Sequence, residues 1–132
     1  MEKEAITDLF EGNYSFCKIS KEGGGAFIAA ARAESSKERR QGLLKQPSLP
    51  SGVALIISAA PLLHSLKMKF PIDVVWIRGN KIHKIVACWR PSKPPVRASW
   101  AWTCLEMKAD EAERLNWNVG DQLLIERDDN ER

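Results

Sequence analysis

Two short runs decide most of what this chain can fold into. Val53 to Ile57 is apolar at every position, and Ile72 to Ile77 is β-branched or aromatic at every position except Asp73. The first follows the breakers Pro47 and Pro50, and the second is followed by the turn chemistry of Arg78-Gly79-Asn80-Lys81. Continuous apolar runs of this length read as strands buried on both faces. The chain is therefore expected to fold around a sheet in which these two segments are interior.

The rest of the pattern fits a β protein. Tyr14 to Ile19 and Ala26 to Ala33 flank the glycine-rich Lys21-Glu22-Gly23-Gly24-Gly25 turn and predict a hairpin. Ile82 to Ala87 returns from the Arg78–Lys81 turn as the partner of the central strand. His64 to Phe70 alternates, with His64, Leu66, Met68 and Phe70 on one side and Ser65, Lys67 and Lys69 on the other. Pro71 has no amide to donate and ends that run. Trp100 to Met107 places Trp100, Trp102, Cys104 and Glu106 on one face, and Gln122 to Glu126 predicts a closing strand. Arg90 to Arg97, with three prolines, reads as an extended loop.

Two short helices complete the pattern. Ser35 with Glu38 three residues on has the capping-box spacing, and that helix runs to about Leu44 before Pro47 and Pro50 stop it. Asp110 to Leu115 is the second, and residues 2–11 are expected to add a helical turn. The expected fold is mainly β, a compact single-domain β-barrel or sandwich with two short helices. One domain spans residues 1–132, with 1–12 and 128–132 peripheral or frayed.

Charge is strongly segregated within a net +3. Residues 1–36 carry four basic and six acidic side chains, residues 37–97 twelve and two, and residues 98–132 four and nine. The +10 middle is either a polyanion footprint or a solvated belt neutralised by the acidic ends. The longest apolar stretch, Val53 to Leu63, contains Ser58 and Pro61 and is too short to span a bilayer. The acidic start lacks a signal core, so a cytoplasmic location is expected. Three cysteines, Cys17, Cys88 and Cys104, form no close pair and are expected to be free thiols of a reducing compartment.

Three sequence blocks carry a family resemblance. Leu63 to Val75, LHSLKMKFPIDVV, is similar to the HTFxMRFPIDVVF signature of a small prokaryotic family, domain of unknown function 192. Arg40-Gln41-Gly42-Leu43-Leu44 resembles the RxxGLL helix of that family. Leu105-Glu106, Ala112 to Leu115 and Gly120-Asp121 resemble its LELPAGxAERLGLxxGD close, so the likeness spans residues 40–125. Where the family has Thr this chain has Ser65, and family glycines fall on Asp110 and Asn116. A family cysteine falls on Ala60 and an acidic residue on Arg78. The resemblance implies a single all-β domain with short helices, often exported in relatives, and brings no established activity.

The candidate site is a pocket involving His64, Met68, Asp73, Trp102 and Glu106, with a small polar ligand as the expected occupant. His64 with Asp73 could form a base held in one tautomer, against the alternative of a buried histidine and a turn-capping aspartate. Glu106 could be a carboxylate on an aromatic-lined surface, or an acceptor for the amides of the turn before Asp110. The first alternative function is binding of single-stranded nucleic acid or another polyanion through the belt, with Arg39, Arg40, Lys67, Lys69, Arg90 and Arg97 as contacts and Trp89 and Trp100 able to stack. A His/carboxylate enzyme is the second. No cofactor is expected, and His64, His83, Cys88 and Cys104 lack any metal-ligand spacing. Oligomeric state is not legible.

Overall fold

The computed structural model describes residues 14–33, 48–58, 62–63, 69–90, 96–97 and 102–127. The expected Ser35–Leu44 helix, the helical turn at 2–11 and the His64–Met68 segment lie outside these residues. The elements are β1 (Tyr14–Lys21), β2 (Phe27–Ala33), β3 (Val53–Ser58), β4 (Leu62–Leu63), β5 (Ile72–Arg78), β6 (Lys81–Trp89), β7 (Val96–Arg97), β8 (Thr103–Lys108), α1 (Glu111–Arg114) and β9 (Leu123–Arg127).

Seven strands form one curled sheet in the order β6-β5-β8-β3-β2-β1-β9, and β4 pairs with β7 separately. The protein is mainly β, a half-barrel with one short helix among the described residues. The two continuous apolar runs are β3 and β5, and both are interior strands. Between them lies β8, paired antiparallel with each. Val53 to Ile57 and Ile72 to Ile77 are buried at every position, as strands covered on both faces must be.

Curling brings the edge strands together at one place. Lys81 at the start of β6 bridges Gln122 just before β9. The Ile82 amide donates to the Asp121 carbonyl at 2.9 Å, and the Leu123 amide to the Asn80 carbonyl at 2.8 Å. The inward face carries Ile19, Ile28, Ile56, Val75, Ile77, Ile82, Leu105, Met107 and Leu123, with Ala112, Leu115 and Trp117 packed among them. The outward face carries a second apolar cluster that includes Leu55, Ile57, Val74, Trp76, Trp89 and Cys104.

Several element boundaries differ from the sequence reading. Val96–Arg97 is strand, paired with Leu62–Leu63, where Arg90 to Arg97 read as loop. Lys69 and Phe70 lie in a bend rather than at the end of a strand, because Pro71 follows and cannot join a ladder. β8 starts at Thr103, not Trp100. β6 runs to Trp89, past Ala87, by absorbing two irregularities in its pairing with β5.

Candidate functional site

Three acidic side chains among the described residues are buried, and their surroundings differ sharply. Asp73 alternates inward from β5, beside Met107, and is fully buried. Its Oδ1 accepts the Cys88 amide at 2.9 Å and the Asp110 amide at 3.0 Å, and its Oδ2 accepts the Ala112 amide at 2.9 Å. Asp110, at the N-cap position of α1, makes no side-chain cap bond, so a carboxylate from another strand does that work. Cys88 holds a positive φ of 53° where β6 bulges opposite Asp73, and its amide is one of the three donors. Asp73 therefore ties β5, the β6 bulge and the entry to α1 into one knot.

Glu111 is the second, 2% exposed. It accepts bonds from the Gly52 amide, the Ser51 hydroxyl at 3.0 Å, and the Arg114 guanidinium at 2.7 and 3.0 Å. Burial acts to raise its pKa, but the bonds from Arg114, Gly52 and Ser51 together hold it below the usual carboxylate value. This residue escaped the sequence reading, although the Glu-x-x-Arg spacing within a predicted helix was the signal available.

Glu106 is the exception. It projects outward from β8, between Leu55 of β3 and Val74 of β5, and is only 7% exposed. No donor among the described residues reaches its carboxyl, and burial pushes its pKa up to about 7. Two residues back on the same face is Cys104, whose thiol is raised by its own burial and by the charge of Glu106. Opposite Cys104 on β5 stands Trp76, and its buried indole N–H likewise has no hydrogen-bond partner. Among the described residues, an acceptor without a donor and a donor without an acceptor thus share one face on neighbouring strands.

An aromatic pair adjoins this face. Trp102, just before β8, packs against the outward cluster and stacks on His83, with ring centroids 5.3 Å apart and planes 22° apart. His83 falls at the second irregularity of the β5–β6 ladder, between Trp76 and Ile77. Bulges re-aim side chains in this manner. The sequence reading weighed His83 only as a metal ligand; a register shift has no sequence signature.

The predicted constellation is thus divided. Trp102 and Glu106 share the outward face, whereas Asp73 points inward with both carboxylate oxygens engaged. Asp73, and not Glu106, receives the amides of the turn into α1. His64 and Met68 lie outside the described residues. Of the predicted belt contacts, Lys69 and Arg90 are exposed, Arg97 lies in β7, and Arg39, Arg40 and Lys67 are not among the described residues. The ion pairs Lys18–Glu126, Lys21–Asp121 and Arg114–Glu111 do not join the acidic 106–113 stretch to a base of the belt. No group of three or more His, Cys, Asp or Glu side chains among the described residues could hold a metal. Cys17, Cys88 and Cys104 are free, and no helix among the described residues is long and apolar enough to cross a membrane.

Fold and site together define a small curled-sheet protein with a buried carboxyl on its outward face that no donor among the described residues reaches. Residues 18–125 match the family model DUF192, described as an "Uncharacterized ACR", and the chain belongs to that family. The chain is similar in structure to a protein of unknown function from Novosphingobium aromaticivorans, with a TM-score of 0.72, 19% identity and 84% of each chain covered. It is also similar to a protein from Sinorhizobium meliloti described as a "putative transcription regulator", with a TM-score of 0.69, 18% identity, and coverage of 88% of this chain and 98% of that one. At these identities the likeness is one of fold. No curated protein matches the chain.

Proposed function

We propose that this chain is a non-catalytic binding domain for a small polar ligand, taken on the outward face around Glu106, Trp76 and Trp102. The observation that carries the reading is the Glu106 carboxyl, buried and without a donor among the described residues. Buried polar groups are ordinarily satisfied, and Asp73 and Glu111 follow that rule within the same domain. A ligand bringing an ammonium, amide or hydroxyl donor would satisfy Glu106, and an acceptor on the same ligand would satisfy the Trp76 indole N–H. Trp102 supplies a flat apolar wall held in place by His83. Binding is favoured over catalysis because Asp73 points away from Glu106, which removes one carboxylate from any shared centre.

A thermal-shift screen of small amines, amides and polyols tests the reading, since a ligand that binds only the native state raises the melting temperature. The expected result is a concentration-dependent rise in the native protein that is lost in Glu106→Gln. Rises that survive this substitution, or none across the screen, overturn it.

Polyanion binding is the second reading, supported by exposed Lys69, Arg78, Lys81 and Arg90, none paired with the acidic 106–113 stretch in the ion pairs above. On that reading, affinity for single-stranded oligonucleotides falls steeply and linearly in a log–log salt series. A flat salt dependence eliminates it.

A further inference from the structure

The inward face of the barrel is filled at one end and polar at the other. Asp73, Met107, Ala54, Ala30, Cys17 and Arg127 form one row of paired residues across β5, β8, β3, β2, β1 and β9. The Lys81–Gln122 bridge joins the two edge strands on opposite sides of that row, so the row climbs the barrel as the sheet curls. Asp73 consequently stands at the end occupied by Ala112, Leu115 and Trp117, while Cys17 and Arg127 stand at the other. There the structure has a cavity of about 310 Å3, lined by Ser15, Phe16, Cys17, Arg32, Ile125 and Arg127.

The register explains why two arginines meet at this mouth. Ser15 pairs directly with Arg32, and Cys17 with Arg127. All four alternate to the side of the sheet that carries Ile19 and Ile125, so both guanidinium groups rise from the same rim. The Arg32 Nη1 donates to the Ser58 hydroxyl at 2.9 Å, which braces the planar fork from behind and leaves other donors for an incoming group. Neither arginine has a carboxylate partner among the described residues. Burial raises the Cys17 thiol above its ordinary value even though Arg32 and Arg127 both pull it down. The thiol therefore stays neutral at physiological pH and contributes no charge that would cancel the arginines.

We propose that this mouth is a binding site for a small oxyanion, a carboxylate or a phosphate monoester, held between Arg32 and Arg127 with its apolar part against Ile125. Planar forks match carboxylate and phosphate geometry, and two of them at one rim favour a ligand of that charge. The cavity volume lies at the lower end of the range for small-molecule sites, so the ligand is metabolite-sized. Sequence alone hid the site, because Arg32 and Arg127 are separated by most of the chain and are joined only through their common neighbour β1. It is independent of the reading around Glu106, which faces the other side of the sheet.

The test is a titration of the full chain with inorganic phosphate and, separately, with succinate at low ionic strength, following the backbone amide resonances of Ser15, Cys17 and Arg127 by NMR. Saturable shifts are expected with one or both probes, and the probe that saturates tells whether the site takes phosphate or carboxylate. Arg127→Gln, a change at an exposed strand end, is expected to weaken binding about tenfold, the usual loss for one charge-assisted bond. Arg32→Gln, which also gives up the Ser58 bond, is expected to weaken it at least as much. No saturable shift with either probe overturns the proposal. So does native affinity retained in both arginine variants, or an identical response to sodium chloride.

Discussion

Asp73 and Glu106 are near neighbours on adjoining central strands, both carboxylates and both buried, yet among the described residues one face of the sheet satisfies its acid completely and the other brings its acid no donor. Asp73 pairs in register with Met107 and Glu106 with Val74, so a shift of one position along each ladder decides which side each side chain takes. On the inward side, the turn into α1 and the β6 bulge bring three amides to Asp73. On the outward side, the residues beside Glu106 on the ladder include Leu55, Val74 and Cys104, and no donor among the described residues reaches its carboxyl. The same chemical group is a structural keystone in one setting and, among the described residues, an acceptor without a donor in the other. What separates them is the supply of backbone donors, which follows from where the chain turns.

The sharpest way to break this contrast is to remove the keystone. Asp73→Ala leaves the Cys88, Asp110 and Ala112 amides buried without an acceptor, and is expected to cost about 3–5 kcal/mol. Urea unfolding read by tryptophan fluorescence measures it. A loss below about 1 kcal/mol would mean that water or another group replaces the carboxylate, and the assigned role would fail.

A smaller effect of distinctive form belongs to Glu106. Its carboxyl is pushed up to about 7 in the folded protein, against an ordinary value of 4.5 that it regains on unfolding. Below the ordinary value the group is protonated in both states and adds no pH dependence. Between the two values the unfolded chain ionises first, so stability falls as pH rises, and above the folded value the loss is complete. The displacement corresponds to about 3 kcal/mol across that window. Glu111 acts oppositely, because its depressed value makes stability fall as pH drops below its ordinary range. Glu106→Gln is therefore expected to flatten the decline between pH 5 and 8 and to be more stable than the native protein at pH 8. Urea midpoints across that pH series decide it, and an unchanged slope would show that Glu106 is ionised and satisfied.

How much of this was legible follows from which interactions are local. The central strands were, because an apolar run such as Val53 to Ile57 allows little except a strand covered on both faces. That Trp102, Cys104 and Glu106 share one face was legible too, since strand period fixes it, but not which side of the sheet that face is. The partner of each buried acid was not. Asp73 meets amides 15, 37 and 39 residues away, and Glu111 meets Gly52 across 59 residues. No spacing rule reaches that far. His83 came to Trp102 through a bulge, and Arg32 to Arg127 through a shared neighbouring strand, both set by register rather than by residue type.

The smallest expected effect tests the keystone from its other side. Asp110 has φ 72°, a left-handed conformation that a Cβ disfavours, and its side chain makes no cap bond. Its contribution to the knot is its backbone amide, which donates to Asp73. The family signature that the sequence resembles has glycine at this position and at that of Asn116, and Asn116 also has a positive φ of 58°. Aspartate and asparagine are the residues that best tolerate this region, which explains how the chain departs from glycine at both places without changing the turn. Asp110→Gly relieves the left-handed strain but gives the unfolded chain more freedom, and these effects oppose each other. The expected net gain is about 0.5 kcal/mol, read from the urea midpoint. A loss instead would assign the Asp110 side chain a stabilising role that its hydrogen bonds do not account for, and the satisfaction of Asp73 would then rest on more than the three amides that reach it.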